Sequence, residues 1–273
     1  MMGYVTARLL AALLCAHFIS TAVFPPAGGQ ERKSAFSPGQ FLGRGVLAGL
    51  LSYVLVGDWL LWQIPVVVFV VHVGVGYVLS KDRRSSVRHI ARYHVLPLVV
   101  VGALAFALAR LGDVDFFWGT VFGAHVFSVY AFVAGLLATV CMGANVVELA
   151  VQPFLKEIEQ HHADQKEGAA EPDRGLARGG RTIGQLERLL IFLFVITGNP
   201  GGVGFLVAAK SIFRFGEVRE QENRMEAEYI LIGTLMSVGL ALALSYATRF
   251  FLAALWSFSS PATLESLTLA RVM

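Results

Sequence analysis

The chain has 273 residues, of which 56% are hydrophobic and only 15% charged, and its mean hydropathy is +0.64. That apolar share exceeds the share in an ordinary soluble domain, and the long apolar runs lack strand-period alternation, so the composition excludes both a soluble enzyme and an outer-membrane barrel. The net charge of +3 and pI near 9.0 come from basic residues in short loops beside apolar runs, where they orient a membrane protein rather than grip nucleic acid.

Tyr4 to Phe24 is the first apolar segment and carries Arg8 and His17. Ser20-Thr21-Ala22 would pass as a signal-peptide cleavage site, but a histidine within the apolar core and so early an arginine fit a retained helix better. Residues 30 to 43 form a loop with Glu31, Arg32 and Lys33. Val46 to Val56 and Leu60 to Leu79 follow, split at Gly57-Asp58, and predict a tight helical hairpin. Gly45 and Gly49, one turn apart, would let its helices approach closely, and Trp59 and Trp62 suit an interfacial belt.

The next stretch, 81 to 92, sets Lys81, Arg83, Arg84, Arg88 and Arg92 against Asp82 alone, the strongest cytoplasmic mark in the chain. Val95 to Ala109 then crosses outward, Asp113 and Asp115 lie in a turn, and Phe116 to Cys141 crosses back. The continuation to Leu155, with Asn145, Glu148 and Gln152, reads as interfacial. With 81 to 92 inside, the parity puts the N-terminus of the first helix outside and the hydrophilic linker 156–183 inside. His161 and His162, beside Glu159 and Asp164 in that linker, read as a solvated loop. Cys15 and Cys141, both in expected spans, offer neither a disulfide framework nor a thiolate metal site.

The C-terminal part places charges inside an apolar pattern. Leu189 to Thr197 is apolar, Gly198-Asn199-Pro200-Gly201-Gly202 breaks it, and Val203 to Ala209 resumes it before Lys210 and Arg214. Each arm is too short to cross alone, because ~30 Å of hydrocarbon takes roughly 20 residues. Two geometries fit: a re-entrant hairpin, or one spanning helix broken near its middle. A hairpin closing at Pro200 would bring Glu187 beside Lys210 or Arg214. The expected charge network is Glu187, Arg188, Lys210, Arg214 and Glu228, unless these side chains merely snorkel at the headgroups. Val218 to Glu228 reads as an exposed helix, and Tyr229 to Trp256 as the last span.

Candidate chemistry is sparse. Gly198 to Gly204 lacks the lysine and hydroxyl of a phosphate cradle, and no serine sits in a nucleophile elbow. His17, His72, His89, His94 and His125 lie in or beside the membrane. A catalytic metal usually takes three protein ligands and a carboxylate base, whereas Asp58, Asp113 and Asp115 fall at the interface opposite His89 and His94. No cofactor is therefore expected. The weaker reading is a divalent metal on His17, His72 and His94, the stronger one that intramembrane histidines bond helix to helix.

Gly184-Gln185-Leu186-Glu187-Arg188, the broken turn, Gly204-Phe205-Leu206, Ala208-Ala209-Lys210-Ser211-Ile212, Arg214-Phe215 and Ala227-Glu228-Tyr229-Ile230-Leu231-Ile232-Gly233-Thr234 together resemble the C-terminal half of a bacterial integral membrane family, domain of unknown function 3307. The N-terminal half is similar to it more loosely, through Ala16-His17-Phe18, His72 and His94. The resemblance implies a bacterial inner-membrane location. It also implies an aspartate accompanying each histidine, as in a metal-dependent hydrolase. Here those positions hold Thr21, Gly76 and Ile90, so the carboxylates such a hydrolase needs are replaced.

The expected fold is an all-α bundle of six or seven membrane segments, divided into an N-terminal bundle 1–155, the cytoplasmic linker 156–183 and a C-terminal unit 184–273. The expected role is non-enzymatic solute binding or transport, with the broken turn Gly198 to Gly202 offering unpaired backbone groups to a small solute. The alternatives are a relict metal-dependent hydrolase and a structural subunit that docks a cytoplasmic protein through the linker. Expected partners are the lipid bilayer, a small solute and a cytoplasmic protein, with no nucleic acid.

Overall fold

The computed structural model describes residues 2–25, 38–81, 87–111, 114–165, 179–215 and 224–258, and among them regular structure is entirely helical. The helices are α1 (Met2–Val23), α2 (Pro38–Val56), α3 (Gln63–Lys81), α4 (Val87–Leu111), α5 (Phe117–Phe122), α6 (His125–Leu137), α7 (Gly143–Gln165), α8 (Gly179–Ile196), α9 (Gly201–Phe215) and α10 (Arg224–Phe258). A π-helical segment, Ala138–Met142, joins α6 to α7. Among the described residues five stretches are long and apolar enough to cross a membrane: Met2–Val23, Gly39–Val56, Tyr93–Arg110, His125–Leu155 and Glu228–Ser257. Gln63–Val78 is apolar but shorter.

Three boundaries differ from the sequence expectation. Helix α2 begins at Pro38, not near Val46, because proline's fixed φ suits a first helical turn and the small residues after it do not interrupt the helix. The run expected to cross from Phe116 breaks at Gly123, whose φ of +76° ends α5 before α6 starts. The helix that follows continues through α7 to Gln165, well into the hydrophilic stretch. Polarity does not stop it, since Leu, Lys, Glu and Gln are all good helix formers.

By its own contacts the chain forms two compact units, Met1–Ala138 with Ala247–Met273, and Thr139–Tyr246. The boundaries of these units lie at the π segment and inside α10.

In the first unit α1 is the axial helix, packed by α2, α4 and α6. Leu9, Ala11, Ala12, Leu13, Cys15 and Ala16 are buried all round it, as befits a helix enclosed by others. Its alanines let the neighbours approach closely. Leu9 and Leu13 join Ile64, Val68, Ala105, Phe127 and Leu255 in one core. Helices α2 and α3 form the expected tight hairpin. A Cβ on Gly45 would come within 2.6 Å of Val73 Cγ2, and one on Gly49 within 2.8 Å of the Pro65 carbonyl oxygen. Asp58 fixes the turn, since its carboxylate accepts from the Leu60 amide at 3.0 Å and the Asp115 amide at 3.1 Å. In the second unit α8 and α9 pack together, and Ile191, Val203 and Ala241 form a small core.

Gly49→Ala drives a methyl into a backbone oxygen, whereas a Cβ on Gly74 meets nothing within 4 Å. Thermal unfolding in detergent is expected to show Gly49→Ala destabilised by about 1–3 kcal/mol, with Gly74→Ala unchanged or slightly stabilised.

Candidate functional site

Polar side chains in the first unit converge where an apolar bundle would otherwise be filled with hydrocarbon. Helix α1 supplies His17 and Thr21, α2 supplies Gln40 and Arg44, α3 supplies His72, and α4 supplies Tyr93 and His94. His17 is 1% exposed, and Arg44, His72 and His94 are 3% exposed, so none of them snorkels to water. Position 17 lies roughly 9 Å inside the end of α1 at 1.5 Å per residue. Arg44 arrives here because α2 starts at Pro38, which puts the arginine well within the helix.

The hydrogen bonds set the tautomers. His72 Nδ1 lies 2.8 Å from the Val68 carbonyl oxygen, which can only accept, so Nδ1 carries the proton and Nε2 of a neutral ring accepts. His72 Nε2 is 3.1 Å from His17 Nδ1, which therefore donates. The chain of bonds ends at His17 Nε2, a buried lone pair with no protein partner. His94 lies against His17 with ring centroids 6.2 Å apart, and both its ring nitrogens are also buried without a partner. Arg44 stacks over the Tyr93 ring at 3.9 Å and donates Nη2 to Thr21 Oγ1 at 3.0 Å, while its Nε is unpartnered. Gln40, one turn before Arg44, leaves Oε1 buried and unpartnered. Thr21 in turn donates to the His17 carbonyl oxygen at 2.7 Å.

The structure thus brings His17, His72 and His94 together, as a metal site would need, but not in a form that holds a metal. Both nitrogens of His72 are engaged, one with Val68 and one with His17, and His17 Nδ1 is engaged with His72. Two rings with free nitrogens fall short of the usual three ligands, and the adjacent guanidinium repels a cation. Among the described residues no group of three or more His, Cys, Asp or Glu is arranged for a metal ion. Of the positions where the family resemblance implies acids, Thr21 bonds Arg44, and Gly76 faces Phe41, against which any Cβ would collide. The side chains of Ile90 and His89 lie outside the described residues, as do those of His161 and His162. His125 packs against Trp256, with ring centroids 5.7 Å apart and the rings tilted by 42°.

In the second unit the described residues include one ion pair of the expected charge network. Lys210 Nζ donates to Glu187 Oε2 at 2.5 Å, which shows that α9 folds back along α8. Arg214 lies in α9, but its side chain is outside the described residues. Arg188 interacts electrostatically with Glu187, but its hydrogen bonds go elsewhere: it is buried and donates to Ser237 Oγ at 3.0 Å and, more weakly, to the Val140 carbonyl oxygen at 3.4 Å. Glu228 is exposed on α10. Another pairing, which the sequence does not single out, joins Arg181 to Glu148 at 3.0 Å and to Asn145 Oδ1 at 2.9 Å. Its trace in the sequence is the three-residue spacing of Asn145 and Glu148 on one face of α7.

The turn Gly198, Asn199, Pro200, Gly201 and Gly202 does not offer a row of free backbone groups. Gly198 has a φ of +77° and donates to the Val195 carbonyl oxygen at 3.2 Å, while the Asn199 amide donates to the Phe194 carbonyl oxygen at 2.8 Å. This is a Schellman cap, which closes the end of α8 on itself. The Gly202 and Val203 amides are likewise bonded, to Asn199 and Pro200. The expectation of a solute held by unpaired turn amides is corrected by these bonds.

Comparison with protein-family models, curated proteins and solved structures returns no match.

The Glu187–Lys210 pair is largely shielded, with side chains 15% and 24% exposed. A double-mutant cycle of Glu187→Gln and Lys210→Met, read by thermal unfolding, is expected to give a coupling on the order of 1 kcal/mol. Additive single effects would show that the pair contributes nothing to the hairpin.

Proposed function

We propose that this is a multi-pass protein of the bacterial inner membrane that binds a small polar solute, without catalysing a reaction on it, in the histidine and arginine centre of its first unit. The observation that carries the reading is the concentration of unpartnered buried polar atoms there: His17 Nε2, both nitrogens of His94, Arg44 Nε and Gln40 Oε1. A buried polar atom without a partner costs about 1–3 kcal/mol, and folded proteins contain few of them. Several on adjoining side chains of α1, α2 and α4 are better explained by a guest that bonds them than by chance.

The non-enzymatic part of the proposal rests on what surrounds the centre. Among the described residues no carboxylate bonds to Arg44 or to the three imidazoles, and the Thr21 and Ser20 hydroxyls are tied to the His17 carbonyl oxygen. Among the described residues, then, no general base for metal-assisted hydrolysis stands at this centre. In this reading the α8–α9 hairpin is a re-entrant element held shut by Glu187 and Lys210, and residues 156–183 lie on the cytoplasmic side. Helix lengths of roughly 27 and 22 Å, short of the ~30 Å hydrocarbon thickness, support that assignment.

The test exploits the cost of an empty polar site. His94→Leu removes two unpartnered nitrogens at similar volume, so the solute-free variant is expected to be more stable than wild type by about 1–3 kcal/mol. It is also expected to lose the thermal shift that a panel of small polar solutes produces in the wild-type protein in detergent. A His94→Leu protein less stable than wild type, together with no responding solute, would mean that the centre is structural glue.

A further inference from the structure

The unpartnered atoms define their guest more closely than "polar solute", and the inference drawn from them rests on the solute-binding reading above. Three properties of the centre combine. Arg44 is a permanent cation that is 3% exposed, and its partners among the described residues are a hydroxyl and an aromatic face, both uncharged. A buried cation without a counter-charge is strongly unfavourable, so a cationic guest is excluded and a neutral one leaves the charge uncompensated. The guest that completes this centre is an anion.

The second property is that the centre also presents acceptors. His17 Nε2 is a lone pair by the hydrogen-bond chain that begins at the Val68 carbonyl, and Gln40 Oε1 can only accept. An anion with no proton, such as a halide, a carboxylate or sulfate, would satisfy Arg44 Nε while setting its own lone pairs against His17. The third property is that His94 has two free nitrogens and so contributes one donor and one acceptor whichever tautomer it takes. Taken together, the free valences call for one negative group that both accepts and donates hydrogen bonds.

We propose that Arg44, His17 and His94 form a binding site for a proton-bearing phosphate oxyanion. Its unprotonated oxygens accept from Arg44 Nε and from the His94 N–H, and its P–OH donates to His17 Nε2. Inorganic phosphate and the phosphomonoester headgroup of a lipid present the same chemistry, and since these side chains are buried among the helices, either must be admitted by movement of the helices around them. Arginine pairs well with phosphate through directed N–H donors. The His72–Val68 bond positions the acceptor by fixing the tautomer of His17, as an outer-shell carbonyl fixes a ligating imidazole.

The experiment uses the full-length protein in a neutral detergent and measures binding by calorimetry and thermal shift, with inorganic phosphate, sulfate and phosphatidic acid in mixed micelles as probes. Sulfate matches phosphate in shape and charge but carries no proton near neutral pH. Phosphate is expected to bind about tenfold tighter than sulfate, the size of one added hydrogen bond. Thr21→Asp places a carboxylate on the Arg44 guanidinium from the position Thr21 Oγ1 now holds at 3.0 Å. That variant exchanges the Thr21 bond to the His17 carbonyl oxygen for an ion pair with Arg44, and is expected to fold and to lose the phosphate response. Arg44→Gln is expected to lose it too, and the result from Thr21→Asp stands if Arg44→Gln fails to fold. A response to phosphatidic acid alone would support the site with a lipid as the source, and a response to inorganic phosphate would support it with a soluble ion. Equal binding of phosphate and sulfate, or a response that survives in Thr21→Asp, would overturn the proposal. A neutral solute that shifts wild type but not His94→Leu, with phosphate and phosphatidic acid both silent, would overturn the phosphate inference and leave solute binding standing. Silence from every solute would overturn both.

Discussion

The constraint on which the first unit depends is a guanidinium held in an apolar bundle with no carboxylate bonded to it among the described residues. Arg44 reaches the centre because α2 begins at Pro38 and carries it inward, and it is kept there by the Tyr93 ring and the Thr21 hydroxyl. Neither contact neutralises a charge, and burial of an unpaired ion is expensive. Everything around it follows the same rule. The Val68 carbonyl orients His72, His72 orients His17, and the sequence of bonds stops at a nitrogen without a partner. Such an arrangement is stable as a fold only because close packing surrounds it. Glycine contacts between α2 and α3, the alanine-rich α1 and the Asp58 turn hold the backbone while the polar centre is left incomplete.

The second unit solves a similar problem differently. Among the described residues Lys210 is paired with Glu187, Arg181 with Glu148, and Arg188 with a serine hydroxyl and a backbone carbonyl. The carbonyl belongs to Val140 in the π segment, where wider hydrogen-bond spacing makes carbonyl oxygens easier for a side chain to reach. The turn between α8 and α9 closes its own backbone. A unit whose polar groups are satisfied in this way has less reason to recruit a guest, which is why the functional reading moves from the hairpin to the first unit.

The helical membrane class was legible from composition and run length, because twenty apolar residues in a row leave few alternatives. Close approach at Gly45 and Gly49 was legible from spacing, as was the return of Lys210 to Glu187 from a turn rich in glycine and proline. The convergence of His17, His72 and His94 showed only as three histidines at suitable depths, without their mutual bonds. Arg44 was not legible, since a helix start several residues early turns a headgroup arginine into a buried one, and boundaries are what local patterns specify least. Arg188 and Glu187 are adjacent in sequence and read as one network. A helix points neighbouring positions about 100° apart, and the structure sends them to different partners.

The account's central claim is that the first unit holds a preorganised, incompletely bonded polar centre, and nitrogen-15 resonance of histidine-labelled protein in lipid nanodiscs tests it most directly. It predicts that His17 and His72 each carry their proton on Nδ1, and that on addition of phosphate the His17 Nε2 and His94 signals move while His72 Nδ1, tied to Val68, stays in place. A His17 ring protonated on Nε2, or imidazole signals that no added solute perturbs, would contradict it.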